Sequence, residues 1–224
     1  MSVLSDRWNA EYRAGRYADD PPLPFVETIL AALGRYPDRR AGVGLYVGCG
    51  NGRNYLPLVD AGLHLIGLDV SFEALAQLTA RRPALGGRLA CGDFRDFGRD
   101  AALDSLIAIQ VFQHGADADV GAYFDRAAAL LRPGGLLFVR TNSAGTEVYH
   151  RHTVLERNRF GGFTVRYDEG PKRDLLVHFT TQHELMARTA AHFALVAGPT
   201  EERIVRAAPK TGSWAQWEAI WQRL

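Results

Sequence analysis

The chain has 224 residues, of which 47% are hydrophobic and 23% are charged, and its formal net charge is +1. This composition is typical of a globular domain and excludes a fibrous or largely disordered chain. Because the net charge is close to zero, nucleic-acid binding would require a local basic patch, and no such patch dominates the sequence. The length predicts a single domain over residues 1–224.

Residues 1–40 mix charged and aromatic residues in MSVLSDRWNAEYRAGRY before a helical pattern, and they lack the apolar core of a secretion signal. No later stretch reaches the length of a membrane span, so we expect a protein that stays in the cytoplasm. Cys49 and Cys91 each stand beside a glycine at a predicted strand end, which favours reduced thiols over a disulfide or a metal site. The sequence gives no indication of the oligomeric state.

Apolar runs of strand length alternate with helical patterns up to residue 142. The helices are PFVETILAALGRY, SFEALAQLTARR with Ser71 as its cap, and VGAYFDRAAALL, which ends at Arg132–Gly135. This alternation indicates βαβ units, and the continuous apolar strands favour a parallel sheet buried between two helix layers, an α/β Rossmann-like fold. The predicted strands cover residues 43–47, 63–69, 88–93, 104–110 and 135–141.

The pattern changes after residue 142. FTVRYDE and DLLVHF flank the turn-rich segment Gly170–Arg173, which predicts a hairpin insertion within residues 143–180. We expect this insertion to contribute to a substrate pocket. A helix over TQHELMARTAAHF follows, and then two closing strands, ALVAG and ERIVRA, separated by a turn at Pro199 and Thr200, which favours antiparallel pairing.

The C-terminal segment SWAQWEAIWQRL places Trp214, Trp217 and Trp221 at helical spacing. This spacing predicts a helix that docks an aromatic face on the core.

Three glycines, Gly48, Gly50 and Gly52, follow the first predicted strand. In open parallel sheets the loop after the first strand lies at the crevice where ligands bind. A helix predicted to begin near Asn51–Asn54 would direct free N–H groups at a carboxylate or phosphate. A glycine-rich turn that serves only packing explains this segment equally well.

Acidic residues follow the next two strands. Asp69 ends the second strand, 21 residues beyond Gly48, where its two oxygens can accept both hydroxyls of a ribose. Asp93 ends the third strand and can accept from an exocyclic amine, while Phe94 offers an apolar face to a purine. Together with the glycine loop, these residues predict an adenosine-type ligand.

In VGCGNGRN, LIGLDVS, CGDF, QVFQH and LLRPGGLLFVR, residues 40–142 resemble the class I S-adenosylmethionine-dependent methyltransferases. The resemblance implies a seven-stranded sheet of order 3-2-1-4-5-7-6 with the last strand antiparallel. It also implies that the glycine loop borders the methionine part of the cofactor, that Asp69 binds ribose, and that Gln110 lies near the methionine end. The predicted cofactor-binding residues are Tyr12, Gly48, Cys49, Gly50, Asn54, Asp69, Val70, Asp93, Phe94 and Gln110.

One position departs from the family pattern. Two residues before Gly48, where the family usually has an acidic side chain, this sequence has Tyr46. A backbone carbonyl or a group from WNAEYRAGRY would then have to bind the cofactor's amino group, since that segment resembles one that folds over the cofactor in small-molecule methyltransferases. Trp8 and Tyr12 are the candidates, and simple packing of an amphipathic helix explains them equally well.

Methyl transfer from a sulfonium depends mainly on alignment and desolvation, and a general base is needed only for a protonated acceptor. His114, four residues past Gln110, is the predicted catalytic residue. His178 on the insertion is a second candidate. Arg140 and Asn142 end the fifth strand and could orient a polar acceptor, although a structural ion pair accounts for Arg140 as well.

Two further features of the sequence lie in the predicted insertion. His150 and His152 form an incomplete ligand set, so no metal is predicted. The aromatic-rich segment around Gly161 and Gly162 predicts an apolar flap over a small acceptor, or else side chains that only hold the insertion in place. The flap residues are Phe160, Phe163, Val165 and Tyr167.

These observations predict an enzyme that methylates N, O or S of a small molecule with S-adenosylmethionine. One alternative is methylation of RNA or protein, and another is a nucleotide-binding module without turnover. A nicotinamide-dependent oxidoreductase is disfavoured, because Arg53 stands where its third glycine is required and the segment after residue 142 lacks a second nucleotide-binding half.

Overall fold

The computed structural model describes residues 3–17 and 20–224. Seven strands form one mixed sheet in the order β3-β2-β1-β4-β5-β10-β9, and three more form a separate sheet, β6-β7-β8. The strands are β1 Val43–Val47, β2 His64–Asp69, β3 Leu89–Cys91, β4 Leu103–Ile109, β5 Leu131–Asn142, β6 His152–Arg157, β7 Phe163–Tyr167, β8 Leu176–Phe179, β9 Phe193–Val205 and β10 Ser213–Arg223.

Helices cover both faces of the large sheet. Short 3-10 turns at Pro83–Arg88 and Phe94–Asp96 flank β3. No helix in the described ranges is long and apolar enough to cross a bilayer. The helices are α1 Val3–Arg13, α2 Phe25–Gly34, α3 Pro37–Ala41, α4 Tyr55–Asp60, α5 Phe72–Arg81, α6 Asp117–Leu130 and α7 Gln182–Thr189.

The βαβ part of the chain follows the sequence pattern. Strands β1 to β5 pair in parallel, and β1 directs Leu45 and Val47 to one hydrophobic cluster and Tyr46 to the other. Ser71 caps α5 by accepting from the backbone N–H of Ala74, as predicted. The sheet is therefore buried between two helix layers, and its carboxyl edge is the edge at which β1, β2 and β4 end.

The large sheet has the predicted order 3-2-1-4-5-7-6 when only its own strands are numbered. Its last two strands are β9 and β10 because the three strands of the insertion come between β5 and β9 in the sequence. The last strand, β10, is antiparallel to both of its neighbours. The insertion contains one strand more than the predicted hairpin, since β6 pairs with β7. The predicted turn at Gly170–Arg173 joins β7 to β8.

The prediction of a C-terminal helix was wrong, because the three tryptophans lie on strand β10. This strand pairs along its length with β5 and β9, and these hydrogen bonds outweigh a helical spacing of apolar residues. Trp217 and Trp221 face the cluster that contains α6, while Trp214 lies near the carboxyl edge of β4.

The two predicted closing strands, ALVAG and ERIVRA, are halves of the single strand β9. The turn predicted at Pro199 is an irregularity within it, where the register against β10 shifts after Glu218. Gly198 lies there with φ +78°, and a Cβ at this position would overlap the carbonyl oxygen of Glu218. The backbones approach closely at this point, so the chain bulges instead of reversing.

Candidate functional site

A cavity of about 360 Å³ lies at the carboxyl edge of β1, β2 and β4. The glycine loop forms its floor, the ends of β2 and β3 form one wall, and α1 covers it. All ten residues predicted to bind a cofactor line this cavity, and so does His114. The topology therefore brings together residues that are up to 102 positions apart, from Tyr12 to His114.

The glycine loop is held by main-chain hydrogen bonds. The N–H groups of Gly48 and Cys49 both donate to the carbonyl oxygen of Leu68, at 2.7 and 3.1 Å. Gly48 has φ +68°, and a Cβ there would overlap the Val111 side chain. At Gly50, with φ +56°, it would overlap the hydroxyl of Tyr12. Both glycines are thus required by backbone angle and by close neighbours.

Asp69 joins this loop to the end of β2. One carboxylate oxygen accepts from the N–H of Gly50 and the other from the N–H of Ser71, both at 2.8 Å. Burial raises the pKa of Asp69 to about 6, although these backbone hydrogen bonds lower it. The side chain is therefore ionised at neutral pH. Each oxygen retains a second acceptor site for a ligand hydroxyl, because a carboxylate oxygen has two.

The part of this wall that follows β3 carries the predicted adenine-binding pair, Asp93 and Phe94. Arg95 donates to both oxygens of Asp93, at 3.0 and 2.6 Å, and this hydrogen bonding lowers the pKa of Asp93. Phe94 is buried with its ring 5.4 Å from that of Phe112 and 6.2 Å from that of Tyr123. This wall therefore combines an ionised carboxylate with an aromatic cluster.

Helix α1 is docked over the cavity by specific hydrogen bonds. The side-chain oxygen of Asn9 accepts from the hydroxyl of Ser71 at 2.8 Å and from the N–H of Glu73 at 3.2 Å. Gln77 on α5 donates to the carbonyl oxygen of Tyr12 at 2.9 Å. Trp8 and Tyr12 consequently face the cavity, and burial raises the pKa of the Tyr12 hydroxyl, so it stays protonated.

Tyr46 occupies the position where the family usually has a carboxylate. It is fully buried, and its hydroxyl bonds the side chain of Asn54, whose oxygen accepts from the N–H of Leu23 at 2.8 Å. Among the described residues, Asp69 and Asp93 are the only carboxylates that line the cavity. No acidic side chain therefore replaces the missing one within that part of the chain.

Arg53 also lines the cavity. In the sequence it served only as evidence against a nicotinamide-binding motif, because it stands where that motif requires its third glycine. Its guanidinium donates to the carbonyl oxygen of Pro21 at 2.7 Å and lies 3.3 Å from Asp20. A cation beside a glycine loop suits the carboxylate of an amino-acid tail.

Gln110 and His114 follow the end of β4. Gln110 has φ +61°, and its side-chain amide donates to Gln216 at 3.0 Å. The buried ring of His114 lies edge-on to Trp8 at 5.3 Å. Burial and the nearby Lys172 together lower the pKa of His114 to about 3. His114 is therefore neutral at physiological pH, and its Nδ1 has no partner among the described residues.

Two candidates from the sequence lie outside the cavity. His178 is buried beneath α7, where its ring bonds Thr164 at 2.8 Å and Glu184 at 2.9 Å, and the structure does not bring it to the cavity. Arg140 is buried in ion pairs with Glu202 and Glu218. It therefore has the structural role that the sequence offered as the alternative to orienting an acceptor.

His178 and Glu184 lie with Asp117 in a group whose spacing would suit a metal ion. Arg188 donates to the carboxylates of both Asp117 and Glu184 and supplies the positive charge there. His150 and His152 are not part of this group.

The predicted flap does not cover the cavity. Val165 packs with Val177 and Phe179 in a small core of the insertion, with Phe163 and Tyr167 against it. Phe160 packs on His183, at a ring distance of 5.0 Å. Of the four predicted flap residues, only Tyr167 lines a cavity, and that is a second cavity next to this one. These side chains hold the insertion together, as the second explanation of this segment predicts.

Sequence reasoning missed three residues at the open side of the cavity. Tyr17, Lys172 and Trp214 line it and also line a second cavity next to it, together with Asn142 at the end of β5. Trp214 was missed because its segment was interpreted as a helix. Lys172 was seen only as a turn residue, since nothing in the sequence shows where a hairpin tip will lie.

Comparisons with known proteins agree with this geometry. Residues 45–135 match the family described as methyltransferase domain. The chain is 35% identical to the ubiquinone biosynthesis O-methyltransferase of Nitrobacter winogradskyi over 99 residues, which are 43% of this chain and 37% of that protein. The corresponding enzyme of Chelativorans is 27% identical over 155 residues, 63% of this chain and 59% of that protein. The chain thus matches less than two thirds of the length of these relatives.

Solved structures share the fold over nearly the whole chain. The 1,6-didemethyltoxoflavin-N1-methyltransferase of Burkholderia thailandensis, crystallised with 1,6-didemethyltoxoflavin and S-adenosylhomocysteine, has a TM-score of 0.68 at 23% identity, covering 99% of this chain and 87% of that one. The magnesium protoporphyrin IX methyltransferase of Synechocystis, with bound S-adenosylmethionine, has a TM-score of 0.66 at 14% identity, covering 99% and 96%. Residues 45–135 thus match a methyltransferase-domain family, and nearly the whole chain shares the fold of these solved methyltransferases.

Proposed function

We propose that this protein transfers a methyl group from S-adenosylmethionine to N, O or S of a small molecule. The observation that carries the proposal is the placement of the ionised Asp69 beside the glycine loop, in a cavity whose wall beyond β3 carries Asp93 with an aromatic cluster. The residues present fit the cofactor, because they offer acceptors for a ribose, an apolar face for a purine and a cation for a carboxylate tail.

Each part of the cavity has a proposed role. Asp69 accepts from the ribose hydroxyls, Asp93 and Phe94 frame the adenine, and Val70 contributes main chain between them. Gly48, Cys49 and Gly50 border the methionine part together with Gln110, and Arg53 pairs with its carboxylate. Tyr12 and Asn54 close the cavity above and beside the loop. When bound, S-adenosylmethionine supplies a methyl group on a positively charged sulfur.

His114 lies beside Gln110 on the side where the acceptor would enter. Since its pKa is low, it is a weak base, and we propose that it orients the acceptor by hydrogen bonding in its neutral form. Trp8 and the covering helix exclude water from the same place, which strengthens electrostatic interactions inside the cavity.

We also propose a role for two segments of the chain. Within a single domain over residues 1–224, residues 1–40 cover the cofactor and the 143–180 insertion contributes to the acceptor pocket. Met1, Ser2, Ala18 and Asp19 of these ranges lie outside the described residues. A cytoplasmic location stays a prediction from the sequence.

Binding and turnover test the proposal separately. In a thermal-shift assay, we expect S-adenosylmethionine and S-adenosylhomocysteine to raise the melting temperature and NAD to leave it unchanged. With a panel of small metabolites, the protein should release S-adenosylhomocysteine in the presence of at least one of them. Stabilisation by NAD alone would overturn the proposal, and so would methyl transfer confined to RNA or protein. Binding without any turnover would leave a nucleotide-binding module.

A further inference from the structure

A second cavity of about 750 Å³ lies next to the cofactor cavity. Residues from the insertion form one side of it, and the segment that joins β9 to β10 forms the other. The two cavities share Tyr17, Lys172 and Trp214 as lining residues. A molecule in the second cavity would therefore reach the cofactor cavity past these three side chains.

The lining of this second cavity is positively charged. Lys172, Arg206 and Lys210 line it, and no Asp or Glu of residues 3–17 and 20–224 does. The protein has 26 Lys and Arg residues, but only two are lysines, and both lie here.

Arg206 is held by the protein itself. Its guanidinium donates to the carbonyl oxygens of Glu147, at 2.7 Å, and Thr211, at 3.0 Å. The two lysine ammonium groups, by contrast, make no hydrogen bond or ion pair within the described part of the chain. They are the cations that remain available to a ligand.

The same cavity has aromatic walls. Trp214 is fixed by a hydrogen bond from its ring nitrogen to Asn142, at 3.3 Å, and the guanidinium of Arg206 lies over the ring of Tyr149, at 5.8 Å. Flat apolar side chains of this kind stack on planar rings at little cost in conformational entropy. The aromatic residues that line the cavity are Tyr17, Tyr149, Tyr167, Phe179 and Trp214.

Lys172 stands at the junction of the two cavities. It lies on the turn between β7 and β8, and the neighbouring Asp174 pairs with Arg7 of α1 at 2.6 Å, which ties the turn to the covering helix. Burial lowers the pKa of Lys172 to about 8, while Glu11 on α1 raises it. His114, which faces it from the end of β4, is neutral. An ammonium group taken partly out of water without a paired anion is unfavourable, and a bound anion would offset that cost.

We propose that the second cavity binds the methyl acceptor as a planar aromatic anion, with the ammonium of Lys172 pairing with its phenolate or carboxylate oxygen at the junction. This inference rests on the proposed function, since it names the class of acceptor for the same site. Lys210 contributes longer-range attraction at the opposite side of the cavity, and the aromatic walls enclose the ring.

The test measures binding to the full chain saturated with S-adenosylhomocysteine, with benzoate, naphthoate and 4-hydroxybenzoate as probes, each beside its neutral amide. We expect at least one anion to bind about tenfold or more tightly than its amide, because a charge-assisted pair is lost in the amide. Lys172→Met should abolish this preference, and Lys172→Arg should retain most of it. Binding of S-adenosylhomocysteine by each variant shows that it is folded.

Nuclear magnetic resonance of lysine side chains provides a second readout, because the chain has only two lysines and Lys210→Arg assigns their signals. In the free protein the pKa of Lys172 should lie near 8, the value to which burial lowers it. This pKa should rise when the preferred anion binds. The inference is overturned if no anion binds more tightly than its amide, if Lys172→Met keeps the preference, or if the pKa of Lys172 does not move. Failure of the wild-type protein to bind S-adenosylhomocysteine would instead overturn the proposed function.

Discussion

Replacement of Asp69 by alanine is expected to weaken S-adenosylhomocysteine binding by about a hundredfold or more. The ionised carboxylate is the acceptor proposed for two ribose hydroxyls, and hydrogen bonds to a charged group contribute about 1.5 to 3 kcal/mol each. Asp69→Asn keeps one acceptor oxygen and should lose less affinity. Isothermal titration calorimetry at neutral pH measures both losses, because Asp69 of the wild-type protein is ionised there.

The control must separate ligand binding from folding, because Asp69 also accepts from the N–H groups of Gly50 and Ser71. Circular dichroism and thermal melting of each variant report whether the fold is retained. Asp96→Asn is the matched control, since Asp96 is an exposed carboxylate just beyond β3 and does not line the cavity. An Asp69→Ala protein that is folded and binds with wild-type affinity would show that Asp69 does not hold the ribose.

Gly48→Ala is expected to lower both the stability of the protein and its affinity for S-adenosylhomocysteine. A side chain at φ +68° costs about 1 to 2 kcal/mol in free energy of unfolding, and the added methyl group would also displace Val111 on the floor of the cavity. We expect an affinity loss of about tenfold or more, because the loop must move from the position that borders the ligand. Chemical denaturation measures the first effect and calorimetry the second.

Gly62→Ala separates backbone strain from the contact in the site. Gly62 also has a positive φ, +88°, but nothing lies within 4 Å of the position that its Cβ would take. Backbone strain should therefore lower the free energy of unfolding of this variant by about 1 kcal/mol. Its affinity for S-adenosylhomocysteine should equal that of the wild type. Equal affinity losses in both variants, or none in Gly48→Ala, would contradict a role of this loop in ligand binding.

The sequence predicts the βαβ half of the fold well because each strand there is a continuous apolar run between clear helix signals. Ser71, for example, can be identified as the cap of α5 from the sequence because it directly precedes that helix. The C-terminal part was harder, because the spacing of Trp214, Trp217 and Trp221 fits a helix as well as a strand. Only the pairing of β10 with β5 and β9 decides between them, and the pairing with the distant β5 is not visible in a local window.

The cofactor side of the site is predictable for the same reason. Asp69, Asp93 and Gln110 lie at or just beyond strand ends, and parallel strands bring their carboxyl ends to one edge. Lys172 and Trp214 belong to the insertion and to the last strand, and their meeting at the open side depends on long-range packing. His178 depends on long-range packing in the same way, because this hairpin histidine is buried against α7, away from the cavity.

A crystal structure of the protein with S-adenosylhomocysteine tests most directly whether the cavity under α1 is the cofactor site. The expected result is a ligand whose ribose hydroxyls donate to Asp69, whose adenine lies beside Phe94, and whose amino-acid tail borders the loop from Gly48 to Gly50. A ligand bound elsewhere on the molecule, or one whose ribose lies out of reach of Asp69, would contradict it.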